Sequence, residues 1–100
     1  MTKELYRYVF THEAPIEEVE ASLLLAILAT ESLHGESQVR LDAAHYFDPG
    51  KRACVIDAGT PVGRDLNRLF TGFLGREFGP DAFTVDRVED HIHEPQEAAA

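Results

Sequence analysis

Apolar and polar residues follow two different periods along this chain, and their order predicts a succession of strands and helices. Alternation with a period of two, or a short apolar run, predicts strands at 5–10, 39–47, 53–58 and 83–88. Apolar residues that recur every three to four positions predict helices at about 15–34 and 61–78. The core stripe predicted for the first helix consists of Ile16, Val19, Leu23, Ile27 and Thr30.

Proline and glycine mark the predicted ends of the first helix and the turn between strands 2 and 3. Pro15 suits the first helical position, and Gly35 is the expected stop. In the segment 48–51, Pro49 presets the first central position of a turn and Gly50 tolerates positive φ at the second. Strands 2 and 3 are therefore predicted to form a hairpin.

The second helix has equally clear boundaries. Thr60 is a predicted N-cap before Pro61, while Gly79 and Pro80 end the helix. With right-handed crossovers, the element order predicts an α+β, two-layer ferredoxin-like βαββαβ sandwich with antiparallel strand order 4-1-3-2. Residues 1–88 are expected to form one domain, and 89–100 a flexible acidic tail. Such a fold hosts many unrelated activities, so it does not by itself indicate a function.

Strand parity assigns side chains to the two faces of the predicted sheet. Because Arg7 should avoid the core, Tyr6, Tyr8 and Phe10 are expected to point at the helices, and Leu5 and Val9 outward. The same alternation turns Arg40, Asp42, Ala44, Tyr46, Ala53, Val55, Asp57, Thr84, Asp86 and Val88 outward. It turns Val39, Leu41, Ala43, Cys54, Ile56, Phe83 and Val85 inward.

Two apolar surfaces remain once the core is assigned. The open sheet face has a predicted centre of Val9, Ala53 and Val55, with a rim of Arg7, Arg40, Asp42 and Asp86. The flank of the first helix presents Leu24, Leu25 and Leu28. Both indicate protein contacts, although a few exposed valines are normal on a sheet. Deep packing of the helix is an alternative for Leu24 and Leu28.

Composition excludes some classes of partner. The 100 residues carry a net charge of −9, which opposes binding to nucleic-acid backbones and to anionic membranes. RNA-recognition modules share the element order but need exposed aromatics on strands 1 and 3, which are not expected here. Cys54 is the single cysteine, and with no signal peptide predicted at the start, a cytoplasmic location is expected.

Groups that could perform chemistry are sparse. His12, His34 and His45 lack ligand partners at metal-site spacing, and the pair His91 and His93 falls in the predicted tail, so we expect no metal or other cofactor. Cys54 should be an inert buried thiol.

A weaker chemical signal stands at the start of the second helix. Gly63 and Arg64 there could hold an anion, although ordinary capping is the favoured explanation.

These observations favour a non-catalytic protein-interaction module. It would self-associate or dock on a larger protein through Val9, Ala53 and Val55 or through Leu24, Leu25 and Leu28. The alternative is a small-ligand binder or small enzyme of a dimeric α+β type. Its pocket between helices and sheet would be lined by Tyr6, Tyr8, His45 and Arg64.

Overall fold

Four strands and three α-helices follow one another in the computed structural model, which describes residues 4–88. They are β1 (Leu5–Phe10), α1 (Ile16–His34), α2 (Glu36–Asp42), β2 (His45–Asp48), β3 (Ala53–Asp57), α3 (Pro61–Phe78) and β4 (Phe83–Val88), with a short 3₁₀ turn at Pro80–Ala82. The strands form one antiparallel sheet in the order β2-β3-β1-β4. This is the predicted order 4-1-3-2 read from the other edge, so the α+β class and the sheet order are confirmed.

The prediction of a strand over 39–47 was wrong in its first half, where the chain forms α2. Two side-chain pairs at i,i+4 spacing stabilise this short helix: Arg40 with Glu36 at 2.9 Å and Gln38 with Asp42 at 2.6 Å. Alternation over so few residues fits both the strand period and the helix period. In the helix only Val39 is buried, whereas Leu41, predicted to point inward, is exposed.

The hairpin between β2 and β3 is confirmed, but its turn differs from the predicted one. Residues 49–52 separate the two strands, and the positive φ of 51° falls on Arg52 rather than on Gly50. The turn is closed by the Arg52 amide, which donates to the Pro49 carbonyl at 3.1 Å. The loop is thus longer than a two-residue turn and places its left-handed residue at the entry to β3.

Arg52 also joins this hairpin to the loop that follows β1. Its guanidinium donates to the carbonyl oxygen of Phe10 at 3.1 Å and to those of Thr11 and Ala14. Because backbone acceptors at a strand end are costly to leave unpaired, the charged donor stabilises this loop. Nothing in the sequence periodicity pointed to this role.

The core lies between the helices and one face of the sheet. Tyr8, Phe10 and Phe70 form its aromatic centre, with ring centroids 4.9 Å apart for Tyr8 and Phe70 and 6.3 Å for Phe10 and Phe70. The Tyr8 hydroxyl donates to Asn67 Oδ1 at 2.5 Å and lies 2.7 Å from Thr71 Oγ1. The inward orientation of the strand 1 rings is therefore confirmed, and the buried hydroxyl is satisfied by α3.

The side of α1 that faces the core is rotated from the predicted stripe. Val19, Leu23 and Thr30 are buried as expected, but Ile16 and Ile27 lie at the margin of the core. Their places are taken by buried residues of α1 that are small, Ser22 and Ala26. The helix end is joined to α3 by His34, whose Nε2 lies 2.8 Å from Asp65 Oδ2.

Candidate functional site

The outer face of α1 exposes three leucines. Leu24, Leu25 and Leu28 have exposed fractions of 57%, 58% and 57%. At about 100° per residue they project, with Ala21, from the side opposite the buried residues of the helix. We call these four residues the leucine face. Their exposure excludes deep packing among residues 4–88 as the explanation for Leu24 and Leu28.

The charges that α1 itself places around the leucine face have one sign. Glu20 and Glu31 lie along one border, Glu18 along the other, and Glu17 at the N-terminal end. The sequence of α1, which the structure describes in full, contains no lysine or arginine. An apolar stripe enclosed by carboxylates is therefore what α1 presents to other molecules.

The open face of the sheet is the second exposed surface, and its register follows the predicted parity. One row across the strands consists of Tyr46, Val55, Arg7 and Asp86, in the order β2, β3, β1, β4. The next row consists of Asp48, Ala53, Val9 and Thr84. Val9, Ala53 and Val55 are thus neighbours in the register, as predicted, but Ala53 is only 6% exposed, so its prediction as a contact residue was wrong because the side chains around its small methyl group cover it.

The predicted rim of this face was wrong at two positions. Arg40 and Asp42 belong to α2 and not to a strand, so they do not border the sheet face as strand residues would. Their place in the face depended on extending strand 2 back to residue 39. Arg7 and Asp86 do lie on the open face, side by side in the register.

Tyr46 is a large side chain on the open face, with an exposed fraction of 66%. Shallow depressions lie on either side of it. One, of about 160 Å³, is lined by Arg7, Tyr46, Asp48, Lys51, Ala53, Cys54 and Val55. The other, of about 230 Å³, is lined by Leu5, Ala44, His45, Tyr46, Val55 and Asp57. Both are on the uncovered side of the sheet, and neither lies between sheet and helices.

Two groups suited to nucleophilic or acid–base chemistry are enclosed in the core. Burial raises the pKa of the Cys54 thiol from 9.0 to about 12. Burial also raises the pKa of Tyr8 from 10.0 to about 12, partly opposed by its hydrogen bond with Thr71. Both groups are thus protonated and shielded at neutral pH, in keeping with structural roles.

The other residues of the predicted ligand pocket lie in different environments. Tyr6 and His45 lie in one row of the covered face, on either side of Ile56. His45 keeps a large exposed fraction, yet partial desolvation lowers its pKa from 6.5. Arg64 is exposed on the first turn of α3. Since Tyr8 is fully buried and Arg64 is exposed, the four do not share one environment.

The start of α3 is built for packing against β3. The Gly63 amide donates to Thr60 Oγ1 at 2.9 Å, which confirms Thr60 as the N-cap. A Cβ on Gly63 would lie 2.0 Å from the carbonyl oxygen of Asp57. Gly63 therefore allows the close approach of helix to strand, and its amide is already occupied. An anion site at Gly63 and Arg64 stays a prediction.

Metal-binding groups and membrane-spanning helices are not found in the part of the chain that the structure describes. Among residues 4–88, no three His, Cys, Asp or Glu side chains form a group that could hold a metal ion. His91 and His93 lie outside the described residues, as does the predicted tail. Of the helices described, none combines the length and apolar character needed to cross a membrane.

Comparisons of the chain with protein-family models, curated proteins and solved structures found no match. Any functional conclusion therefore rests on the surfaces described above.

Proposed function

We propose that this protein is a non-catalytic interaction module that docks on a larger protein through the leucine face of α1. The observation that carries the proposal is the exposure of Leu24, Leu25 and Leu28 on a helix whose opposite side is already packed. Large apolar patches on soluble proteins are typical of contact surfaces. The enclosed positions of Tyr8 and Cys54 support the absence of catalysis.

The helix distributes its side chains in a way that favours an external partner. The core side of α1 includes the small residues Ser22, Ala26 and Thr30, while its three central leucines are outside. Burying the exposed part of each leucine would contribute about 1–2 kcal/mol. Three such contributions do not reach the upper range of association costs, about 4–15 kcal/mol, so a stable complex also depends on the apolar surface that the partner buries and on its charges.

The border charges indicate the chemistry of the partner. An amphipathic helix with an apolar stripe and flanking lysines or arginines would complement both the leucines and the glutamates. A second copy of α1 fits less well. Parallel pairing would bring opposite borders together and set Glu18 near Glu20 of the second copy, and antiparallel pairing about Leu25 would set Glu20 near Glu31 of the second copy. We therefore assign a basic amphipathic helix as the occupant of the leucine face.

The test uses a synthetic helical peptide with a leucine stripe flanked by lysines, and the same peptide with glutamate flanks. We expect the lysine peptide to bind, more weakly as salt is added, and the glutamate peptide not to bind. Leu25→Glu should abolish binding. Leu33→Glu is the matched control, because Leu33 is 65% exposed on the same helix but lies outside the leucine face.

Val55→Glu completes the set by introducing the same charge on the open face of the sheet. Retained binding in Val55→Glu and Leu33→Glu, with loss in Leu25→Glu, is the supporting result. Equal binding of both peptides, or full binding by Leu25→Glu, would overturn the proposal. Fluorescence anisotropy of labelled peptide is the measurement.

We also propose that the fold is ferredoxin-like, which is more specific than the confirmed α+β class and strand order. Two strand–helix–strand halves, the sheet order β2-β3-β1-β4 and both long helices in one core support a ferredoxin-like arrangement in which α2 is an addition. An experimental structure with right-handed crossovers would bear this out. The cytoplasmic location stays a prediction, to be tested by fractionation of the native cell.

A ligand-binding or enzymatic role has less support than docking. It requires a polar pocket between helices and sheet, whereas Tyr8, one of the predicted lining residues, is fully buried and hydrogen-bonded to α3. The depressions on the open face lie on the opposite side of the sheet.

A further inference from the structure

β4 forms one edge of the sheet, and no strand among residues 4–88 lies beyond it. The Thr11 amide donates to the Ala82 carbonyl at 2.9 Å, which extends the pairing of β1 with β4 by one residue pair. On its other side β1 is bonded to β3 through a different residue, since the Phe10 amide donates to the Arg52 carbonyl at 2.9 Å. The two bonds agree that the backbone groups of residues 7, 9 and 11 face β4.

The alternation of an antiparallel ladder then determines which backbone groups of β4 are open. Because hydrogen-bonded pairs recur at every second residue, Thr84 and Asp86 bond to β1 through their backbone groups. The amides and carbonyls of Phe83, Val85 and Arg87 point away from β1, where no backbone group of residues 4–88 bonds to them. Such a row of donors and acceptors is a template for pairing with another strand.

The opposite edge of the sheet, β2, offers a shorter template. The Asp57 amide donates to the Ala44 carbonyl at 2.9 Å, so the same alternation leaves only His45 and Phe47 facing outward. β2 has four residues and leads directly into the hairpin, whereas β4 has six. Short edge strands limit pairing with other chains, so β4 is the edge better suited to receive a strand.

We propose that two copies of this chain pair through β4, antiparallel, about a twofold axis that is normal to the sheet at Val85. The two sheets then form one continuous sheet, with the helices of both copies on the same side. All three outward residues are used, because Val85 bonds to Val85 of the second copy and Phe83 bonds to Arg87 of the second copy. This contact is separate from docking at the leucine face and does not depend on it.

The side chains of β4 are complementary to a second copy of themselves in this register. On the open face Thr84 lies opposite Asp86 of the second copy, and its hydroxyl can donate to that carboxylate. On the covered face Arg87 lies opposite Phe83 of the second copy, where the guanidinium can contact the ring. The twofold axis repeats both pairs, and Val85 contacts its own equivalent. The arrangement closes on itself as a dimer, as a twofold interface must.

The neighbouring registers are less favourable. An axis at Asp86 would place the two Asp86 carboxylates directly opposite each other, and like charges so placed are destabilising. An axis at Thr84 would place Arg87 opposite Asp81 of the second copy, which belongs to the 3₁₀ turn rather than to a strand, and would lose one of the bonded pairs. Charge and backbone bonding therefore select the axis at Val85.

The expected affinity is low. A single pair of six-residue strands buries less than the roughly 800 Å² per partner of a standard interface. We expect a dissociation constant of about 0.1–1 mM, so the test traps the contact covalently as well as measuring it.

Cysteines introduced on the open face of β4 identify the register. Thr84→Cys and Asp86→Cys, mixed under mild oxidation, should form a disulfide between copies, since opposite residues of a non-hydrogen-bonded pair have Cα atoms about 4.5 Å apart. Neither variant should cross-link to itself, because the two copies of either residue are about 8 Å apart, beyond the reach of a disulfide. Both positions are exposed, the native Cys54 is buried, and mass spectrometry distinguishes the products.

Ser37→Cys is the matched control for random collision. Ser37 is exposed on α2, which leads into the opposite edge of the sheet. Mixing Thr84→Cys with Asp86→Cys should give a cross-linked yield roughly tenfold or more above that of Thr84→Cys with Ser37→Cys, because only β4 brings its two positions together. A yield no higher than this background, or a main product that joins two copies of the same variant, would overturn the proposal.

Sedimentation equilibrium measures the contact without a cross-link. Thr84→Asp should weaken the dimer roughly tenfold or more, because it faces Asp86 of the second copy at two symmetric positions. Ser37→Asp adds the same charge at a distance from β4 and should dimerise like the wild type. Circular dichroism should show each variant folded. A wild-type chain that stays monomeric at millimolar concentration, or an undisturbed Thr84→Asp dimer, would contradict pairing through β4.

The leucine-face variant separates this proposal from the proposed function. Leu25→Glu, added to both cysteine variants, should leave the yield of the mixed cross-link unchanged. Loss of the cross-link in that background would place self-association on α1 and reject the β4 interface.

Discussion

α1 and α3 have nearly equal lengths, 19 and 18 residues, and lie on the same side of the sheet, yet they bury different kinds of side chain. α3 directs Leu66, Phe70 and Leu74 into the core and exposes Arg64 on its first turn. α1 buries mostly smaller residues and exposes its leucines.

The difference shows what each helix is for. The apolar residues of α3 are accounted for by the core, because its outer side is polar as expected for a solvated helix. In α1 the side that faces the core includes the small residues Ser22, Ala26 and Thr30, which allow close packing. The large apolar side chains of Leu24, Leu25 and Leu28 stay outside. α3 therefore holds the fold together, while α1 has surface available for binding.

Removing a large side chain from each helix should reveal this contrast most strongly. Phe70→Ala removes the ring that contacts Tyr8 and Phe10, and we expect the free energy of unfolding to fall by about 3–5 kcal/mol. Leu25→Ala should change it by less than about 0.5 kcal/mol, since the side chain is mostly exposed. Urea denaturation followed by circular dichroism measures both. Comparable losses would mean that the outer face of α1 is packed within the chain.

Alkaline pH should act on the hydroxyl that joins the sheet to α3. The pKa of Tyr8 is about 12 in the folded protein against 10.0 ordinarily. Its stabilising effect is thus complete below pH 10 and is lost as pH rises through 12, by about 3 kcal/mol in all. Cys54, with its pKa raised from 9.0 to about 12, adds to the same loss.

The control for the alkaline effect is Tyr8→Phe. This variant should be less stable at neutral pH by about 1 kcal/mol, because the hydrogen bonds to α3 are lost. Its free energy of unfolding should decline less steeply than that of the wild type as the pH rises from the ordinary pKa of tyrosine, 10.0, to the raised value of about 12. Equal slopes in denaturation series across this range would contradict the role assigned to Tyr8.

Two glycines of α3 in different surroundings should respond to alanine in opposite directions. Gly63→Ala would force a Cβ against the Asp57 carbonyl, and we expect a loss of about 1–3 kcal/mol. Gly72→Ala meets nothing within 4 Å and should gain about 0.5–1 kcal/mol through helix propensity. Thermal denaturation of both variants measures the difference. A stabilised Gly63→Ala would show that the start of α3 does not pack tightly on β3.

Elements with strong local signals were predictable. β1, β4, α1 and α3 have one clear period each and well-defined ends, and the structure confirms them to within a residue of the predicted bounds. α2 was missed because Val39 and Leu41 alternate like a strand, while the pairs that stabilise a helix there involve polar residues. That error moved Arg40 and Asp42 onto a sheet face where they do not belong.

The candidate surfaces were predictable to a similar extent. Val9, Val55 and Tyr46 follow from parity, since a strand directs alternate residues to opposite faces. Arg52 could not be found in this way. Its contacts with Phe10, Thr11 and Ala14 join segments that are distant in sequence, and its positive φ depends on how the hairpin loop closes.

By itself, the sequence determined the strand parity and the surplus of leucines on α1, because side-chain direction within an element depends only on local periodicity. Only the tertiary structure decided how the core side of α1 is rotated. The periodicity predicted Val19, Leu23 and Thr30 correctly, but contacts with α3 and the sheet selected Ser22 and Ala26 in place of Ile16 and Ile27. That selection left Leu24, Leu25 and Leu28 outside.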